Sequence, residues 1–192
     1  MRRLIVGLTG ATGAILGVRL LEALKDSEVE SHLVISNWAR RTIEHETPYT
    51  FKQVCDLANV FHNSNNMAAE ISSGSFITEG MVVIPCSMRT LGAIAQGSGE
   101  NLVHRAADVV LKEHRRLVLV ARESPLSELH LENMLKLARM GVRIVPPMPA
   151  SVRTEQGITT MPSVLNEPDE IEAPMSPWLC TTVASPRTCS TV

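Results

Sequence analysis

The chain has 192 residues, a formal net charge of −2 at pH 7 and 44% apolar residues, a composition typical of one domain with a sizeable core. Charges of both signs are dispersed, which argues against a nucleic-acid partner. No apolar run reaches the roughly 18–20 residues that cross a bilayer, and residues 1–3 lead directly into a strand rather than a signal peptide. The four cysteines lack metal-ligand spacing and disulfide-framework density, so we expect reduced thiols and a cytoplasmic protein.

Strands and helices alternate along the first 150 residues. In chain order the predicted elements are strand 3–8, helix 14–24, strand 31–36, helices 39–46 and 50–57, strand 80–84, helices 90–95 and 101–113, strand 116–121, helix 127–140 and strand 142–145. The polar stretch 62–79 is predicted to be loop, and His104 and His114 are predicted to be solvated helix residues. Five apolar strands between helices predict a parallel sheet covered on both faces.

The segment 4–14, LIVGLTGATGA, predicts a buried strand that turns through glycines into a helix. Such a turn lets backbone N–H groups approach an anion, and the helix dipole attracts it. The turn therefore indicates a nucleotide phosphate site, although glycines also serve tight strand–helix packing alone. A dinucleotide site would place Asp or Glu after the second strand to bind ribose. Ser36 and Asn37 stand there instead, which favours FMN over NAD.

In an open α/β sheet the ligand lies beyond the carboxyl ends of the strands. The residues predicted at this edge are 10–13, Ser36, 87–90, 122–123 and 146–147. The segment 87–90 opens a helix, so it either offers hydroxyl and N–H groups to a ligand or is an ordinary helix N-cap. Arg122 and Glu123 follow a buried strand, and this position favours ligand contact over a surface ion pair.

Five segments carry a family resemblance: 7–14 (GLTGATGA), 71–75 (ISSGS), 85–90 (PCSMRT), 105–109 (RAADV) and 130–135 (HLENML). Over residues 1–150 the chain resembles the flavin prenyltransferases of the UbiX/Pad type, a family also named after the aromatic acid decarboxylases. The resemblance implies a flavodoxin-like or Rossmann-like α/β three-layer sandwich with a parallel sheet, assembled as a homo-oligomer and usually a dodecamer. It also implies transfer of a dimethylallyl group from dimethylallyl phosphate or diphosphate to reduced FMN. The prenylated FMN then serves a separate UbiD-type aromatic acid decarboxylase.

The resemblance also implies which residues form the site. FMN would contact Gly10, Ala11, Thr12, Ser36, Ser87, Met88, Arg89, Thr90 and Arg122. The substrate phosphate would meet Lys112, Arg122, Glu123 and Arg105, and the catalytic set would be Glu123, Arg122, Lys112 and Glu46. An allylic phosphate leaves as an anion, so positive donors suit its site, and Glu123 could pass a proton to it. No metal is required.

The family pattern departs after Ala150. The family continues with Phe-Tyr and a long helix that bears a basic residue, whereas Val152 stands here at the position of the phosphate-binding tyrosine. We therefore predict an FMN-binding flavoprotein domain over 1–150 and a divergent tail over 151–192 that has no core of its own. Five of the eleven prolines fall in this Ser- and Thr-rich tail. FMN binding should be retained, with impaired prenyl transfer.

Two alternatives remain open at this point. An FMN-dependent cysteine decarboxylase of the phosphopantothenoylcysteine type would share the fold and the cofactor, but should carry an Asn-bearing segment in place of 87–90. A non-catalytic FMN-binding subunit of a decarboxylase is favoured by Val152 and by the missing closing helix.

Overall fold

The computed structural model describes residues 2–147, 150–154 and 157–161. Its main sheet contains β1 (Arg2–Leu8), β2 (Val29–Ile35), β3 (Val60–Asn63), β4 (Gly80–Cys86), β5 (Arg116–Ala121) and β6 (Arg143–Ile144). The strands are parallel and lie in the order β3-β2-β1-β4-β5-β6. This is the doubly wound order that reverses direction between β1 and β4, and it confirms the predicted α/β class with a parallel sheet.

The helices of the main unit are α1 (Ala14–Lys25), α2 (Asn37–Glu46), α3 (Phe51–Cys55), α4 (Met88–Ala95), α5 (Leu102–Lys112) and α6 (Glu128–Arg139). All of them were predicted, with ends that differ by no more than two residues. Five of the starts are set by a polar side chain that accepts a hydrogen bond from a backbone N–H in the first turn. These caps are Ser36, Thr50, Ser87, Asn101 and Ser127.

Apolar layers cover both faces of the sheet. Successive residues of a strand point to opposite faces, so Ile5 joins the layer beneath α4 and α5, whereas Val6 and Leu8 join the layer beneath α1 and α2. Strands β1 and β4 are apolar on both sides because each is covered twice. This packing gives the predicted three-layer sandwich.

The prediction of a loop over 62–79 is wrong at its beginning. Strand β3 pairs in parallel with β2 from His32↔Val60 to Ile35↔Asn63, and a 3-10 turn follows at Glu70–Ser72. The strand escapes prediction because it is a short edge strand with partly buried and exposed residues in alternation, not a continuous apolar run. The prediction for His104 is also wrong, because this side chain is buried on α5.

The chain divides into two compact units, Met1–Pro149 and Ala150–Val192. In the second unit, β7 (Ala150–Thr154) pairs antiparallel with β8 (Gly157–Met161). The predicted tail does not anticipate this hairpin, and the tail beyond residue 161 lies outside the described residues. Among the helices that the structure describes, none combines the length and hydropathy needed to cross a bilayer.

Candidate active site at the carboxyl edge of the sheet

A buried threonine joins the carboxyl ends of β1 and β4. The hydroxyl of Thr9 donates to the carbonyl oxygen of Pro85 over 2.7 Å and accepts from the backbone N–H of Ser87 over 2.8 Å. These strands flank the point where the strand order reverses, where open α/β sheets form a ligand crevice. Thr9 therefore fixes the turn 10–13 against the segment 87–90. Sequence reasoning did not select it, and its place in the glycine turn was the only signal.

The turn from β1 into α1 requires glycine at two positions. A Cβ at Gly10 would lie 2.5 Å from the Cβ of Trp38, so only glycine lets the turn approach the start of α2 this closely. Gly13 is the N-cap of α1 with φ 103°, a left-handed conformation that favours glycine. Ala11 and Thr12 lie between them, and Thr12 is exposed. The glycines thus serve close packing, and phosphate binding at the turn stays a prediction.

The first N–H groups of α1 have a carboxylate acceptor. Glu46, the last residue of α2, accepts hydrogen bonds through Oε2 from Gly13 over 2.8 Å and from Ala14 over 3.3 Å. The helix dipole favours a negative charge at this position. The contact places Glu46 beside the turn and shows that the start of α1 accommodates an oxyanion.

Ser36 and Ser87 are both helix caps. The Oγ of Ser36 accepts from the Ala39 N–H over 3.2 Å, and the Oγ of Ser87 accepts from the Thr90 N–H over 3.3 Å. The N-cap interpretation of the segment 87–90 is therefore correct for the Ser87 side chain. The backbone N–H groups of Met88 and Arg89 stay available to donate to a ligand, because the first turn of a helix has no internal acceptor for them.

The other side chains of this segment have different surroundings. Met88 packs against the apolar layer, and Thr90 is buried and accepts a hydrogen bond from Ser87 Oγ over 3.1 Å. Arg89 is exposed, 3.6 Å from a carboxylate oxygen of Glu100.

Arg122 and Glu123 follow β5 directly. The N–H of Arg122 donates to the carbonyl oxygen of Cys86 over 3.2 Å, which aligns this stretch with the end of β4. Both side chains are exposed, and Glu123 accepts a hydrogen bond from the Ser124 N–H over 3.1 Å. Within residues 2–147 these two side chains form no ion pair with each other, so the Arg122 guanidinium can meet an anion at this edge.

Lys112 lies away from Arg122 and Glu123 within one protomer. Lys112 ends α5 just before β5 begins, whereas Arg122 follows the end of β5, and a strand of this length spans about 20 Å. Lys112 therefore lies at the amino edge of the sheet, where it pairs with Glu113. Arg105 donates to the Ser72 carbonyl over 3.3 Å and to Asp108 over 2.9 Å. One protomer does not bring Lys112 together with Arg122 and Glu123.

The surroundings of Glu113 and Cys86 shift the pKa values of these two side chains in opposite directions. The hydrogen bond from Lys112 lowers the pKa of the Glu113 carboxyl, so Glu113 is ionised at neutral pH. Burial raises the pKa of Cys86, at the end of β4, to about 12. Since the thiolate is the nucleophilic form, Cys86 is not a nucleophile at neutral pH.

Trp38 is a candidate binding residue that sequence reasoning missed. Its side chain is 62% exposed in the first turn of α2, beside Gly10, and the Arg41 guanidinium lies 5.0 Å from the ring centroid. An exposed indole offers a flat surface on which a planar ligand can stack. The available signal was an aromatic residue directly after the second strand in a chain with 3% aromatic residues.

Comparisons with known proteins identify the family. The chain matches the Flavoprotein family over residues 1–173. A probable UbiX-like flavin prenyltransferase of Streptomyces sp. (strain D7) is 62% identical over 157 residues, which cover 81% of this chain and 78% of the relative.

Two solved structures are also similar. A dodecameric FMN-dependent UbiX-like decarboxylase from Escherichia coli O157:H7 is 64% identical with a TM-score of 0.76, over 77% of this chain and 80% of that one. AnUbiX (PadA1), solved with FMN and dimethylallyl pyrophosphate, is 58% identical with a TM-score of 0.77, over 78% and 79%. The chain therefore belongs to the UbiX-like flavin prenyltransferases of the Flavoprotein family.

Proposed function

We propose that the protein is a flavin prenyltransferase that moves a dimethylallyl group from dimethylallyl phosphate or diphosphate to reduced FMN, without a metal. One observation carries the proposal. The glycine turn, the start of α4 and Arg122 follow β1, β4 and β5 at the carboxyl edge of the sheet, in a chain 58% identical to a protein solved with FMN and dimethylallyl pyrophosphate. The cysteine decarboxylase and non-catalytic alternatives have no comparable support.

The residues at this edge fit FMN. The backbone N–H groups of Met88 and Arg89 at the start of α4 are free to meet an anion, and no carboxylate directly follows β2 to select a dinucleotide ribose. The residues that would hold the cofactor are Gly10, Ala11, Thr12, Ser36, Ser87, Met88, Arg89, Thr90 and Arg122. When bound, reduced FMN supplies the electron-rich ring to which the allyl group becomes attached.

Three charged residues would perform the remaining steps of the reaction. As the allylic C–O bond breaks, the guanidinium of Arg122 stabilises the negative charge that develops on the leaving phosphate. Glu123, next to Arg122, would pass a proton to that phosphate. Glu46 is held through Oε2 by Gly13 and Ala14, so its Oε1 can accept a proton.

A second copy of the chain would supply Lys112. This residue and Arg122 lie at opposite edges of the sheet, about 20 Å apart along β5, so a phosphate site that contains both needs two protomers. Helix α6 exposes Leu131 and Leu135 by more than half, and clustered exposed apolar side chains often mark protein contacts. We therefore propose a homo-oligomer, a dodecamer like the similar Escherichia coli protein.

In this proposal a second enzyme uses the product. Prenylated FMN would leave for a UbiD-type aromatic acid decarboxylase, and the reaction would take place in the cytoplasm. The unpaired thiols of Cys55 and Cys86 support a reducing compartment.

The test is the formation of prenylated FMN by single and mixed variants. Purified protein, reduced FMN and dimethylallyl phosphate are incubated without oxygen, and the product mass is measured. Arg122→Ala and Lys112→Ala should each lower turnover by about 10- to 150-fold, the equivalent of one charge-assisted hydrogen bond of about 1.5–3 kcal/mol. Arg19→Ala is the control, because Arg19 pairs with Glu22 on α1 and should leave turnover unchanged.

Co-refolding Arg122→Ala with Lys112→Ala tests the shared site. Mixed oligomers should regain part of the activity, because some sites then combine an intact Lys112 with an intact Arg122. No recovery in verified mixed oligomers would contradict a site shared between protomers. Wild-type protein that binds FMN yet forms no prenylated FMN would contradict the transferase itself and favour a non-catalytic FMN-binding role.

A further inference from the structure

A second cluster of polar side chains lies between the edge strand β3 and the turn that follows it. His32 on β2 and His62 on β3 approach to 3.0 Å between Nδ1 and Nε2. The Oε1 of Glu70, in the 3-10 turn, lies 3.8 Å from the same Nδ1 of His32. One ligand atom from each of the three residues lies within 4.8 Å of the other two.

Hydrogen bonding within the protein does not satisfy His32. The two imidazoles can share one proton across their contact, but the buried Nε2 of His32 has no hydrogen-bond partner among the described residues. The Oε1 of Glu30 lies 3.8 Å from it, beyond hydrogen-bond distance. Burial lowers the pKa of His32 and His62, and neutral imidazole is the form that binds metals.

We propose that His32 Nδ1, His62 Nε2 and Glu70 Oε1 bind one divalent cation of the zinc class. Nitrogens 3.0 Å apart can both lie about 2.05 Å from one Zn²⁺ with an N–Zn–N angle of about 94°. The 3.8 Å separation of Glu70 Oε1 from His32 Nδ1 corresponds to about 130°. The remaining pair, from His62 and Glu70, is separated by up to 4.8 Å, so the exposed Glu70 carboxylate would move toward His62 when the ion binds. Two histidines and one glutamate form a known zinc donor set that leaves a fourth position for water.

The surroundings of His32 fit ligation through Nδ1. The proton would then reside on Nε2, and the Glu30 carboxylate, now 3.8 Å away, would have to move closer to accept it, as in other carboxylate–histidine–metal arrangements. Arg3 holds Glu30 through a 2.8 Å hydrogen bond and offsets its charge. Phe76 packs edge-on against His32 with 5.0 Å between ring centroids. The exposed Glu70 side chain gives the ion a path from solvent.

The cation would tie the edge of the sheet to the segment that follows it. Glu70 directly precedes the 71–75 motif, whose backbone is also held by Arg105 at Ser72 and by Arg115 at Gly74. The site would thus anchor the four-residue strand β3. The role is structural, and it does not depend on the proposed prenyl transfer.

The test is zinc binding by the untagged full-length protein after chelation and dialysis. Calorimetry with Zn²⁺ should give one tight site per chain. His62→Ala should weaken the affinity at least about 100-fold and Glu70→Gln about 10-fold, since even outer-sphere changes cost 10- to 100-fold. The control is His114→Asn, which removes an exposed imidazole at φ 54°, a conformation that Asn adopts readily. It should bind like wild type, and Zn²⁺ should raise the Tm of wild type but not of His62→Ala.

Equal Zn²⁺ affinity in wild type and His62→Ala would overturn the proposal, as would the absence of a saturable site. Circular dichroism checks that each variant is folded. If His62→Ala does not fold, the Zn²⁺ affinity of Glu70→Gln alone tests the site. Glu70 is exposed, so this substitution should leave the fold intact. An unchanged Zn²⁺ affinity in Glu70→Gln would then refute the site.

Discussion

The Thr9 hydroxyl should stabilise the fold strongly, because it serves two backbone partners at once. Thr9→Val keeps the side-chain shape but removes the 2.7 Å bond to Pro85 and the acceptor 2.8 Å from the Ser87 N–H. The lost hydrogen bond costs about 1 kcal/mol, and the unpaired N–H costs about 1–3 kcal/mol. We therefore expect the free energy of unfolding to fall by about 2–4 kcal/mol. Thr9→Ser keeps the hydroxyl and loses one methyl group, which costs about 1 kcal/mol.

Urea unfolding followed by circular dichroism measures this difference. All variants are compared at one protein concentration, because the stability of an oligomer depends on it. With a slope of about 2–3 kcal/mol per molar urea, the midpoint of Thr9→Val should fall by about 1 M or more, and that of Thr9→Ser by less than half as much. FMN affinity should also fall in folded Thr9→Val, because the segment 87–90 loses its connection to the turn. The reasoning is refuted if Thr9→Val unfolds at the wild-type midpoint.

Four further predictions concern the turn, the buried histidine, the buried thiol and the exposed helix. Gly10→Ala should weaken FMN binding at least 10-fold in calorimetry, because its Cβ would meet Trp38 at 2.5 Å; Gly99→Ala, with nothing within 4 Å of its added Cβ, should bind like wild type. Burial lowers the pKa of His104, the charge of Glu100 opposes this shift and that of Arg89 adds to it. Only the unfolded state therefore takes up this proton as pH falls below about 6.5. The Tm should therefore fall from pH 7.5 to 5.5, and it should fall less in His104→Leu; an equal fall in both proteins would contradict this. Cys86 should resist alkylation by iodoacetamide until denaturant is added, since burial raises its pKa to about 12; peptide masses showing rapid labelling of native Cys86 would disprove it. Leu131→Glu combined with Leu135→Glu should give a smaller particle than wild type in light scattering, and an unchanged mass would exclude this face from the assembly.

The sequence predicts the parts of the fold that depend on neighbouring residues. Continuous apolar runs identify β1, β4 and β5 because strands covered on both faces need apolar residues at every position. The starts of helices can be predicted because Ser, Thr and Asn caps act within three residues. Strand β3 is missed because an edge strand needs only one buried face and is recognised by its pairing with β2.

The same distinction between local patterns and long-range contacts applies to the candidate site. Residues 10–13, 87–90, Arg122 and Glu123 could be selected from sequence because each directly follows a strand, and parallel strands end at one edge. The connection of Thr9 to Ser87 joins residues 78 positions apart, so no local pattern reveals it. Trp38 is recognised only when its exposure beside Gly10 is known.

By itself, the sequence determined the α/β class, the parallel sheet and the family, because these follow from local periodicity and from short motifs that keep their spacing. The tertiary structure decided where the charges lie. Helix α5 runs back across the sheet, so Lys112 ends at the amino edge while Arg122 stands at the carboxyl edge, although only ten positions separate them. It also brought together His32, His62 and Glu70, which no sequence spacing unites. Distances across a sheet depend on strand order and chain direction, and only packing of the whole chain specifies those.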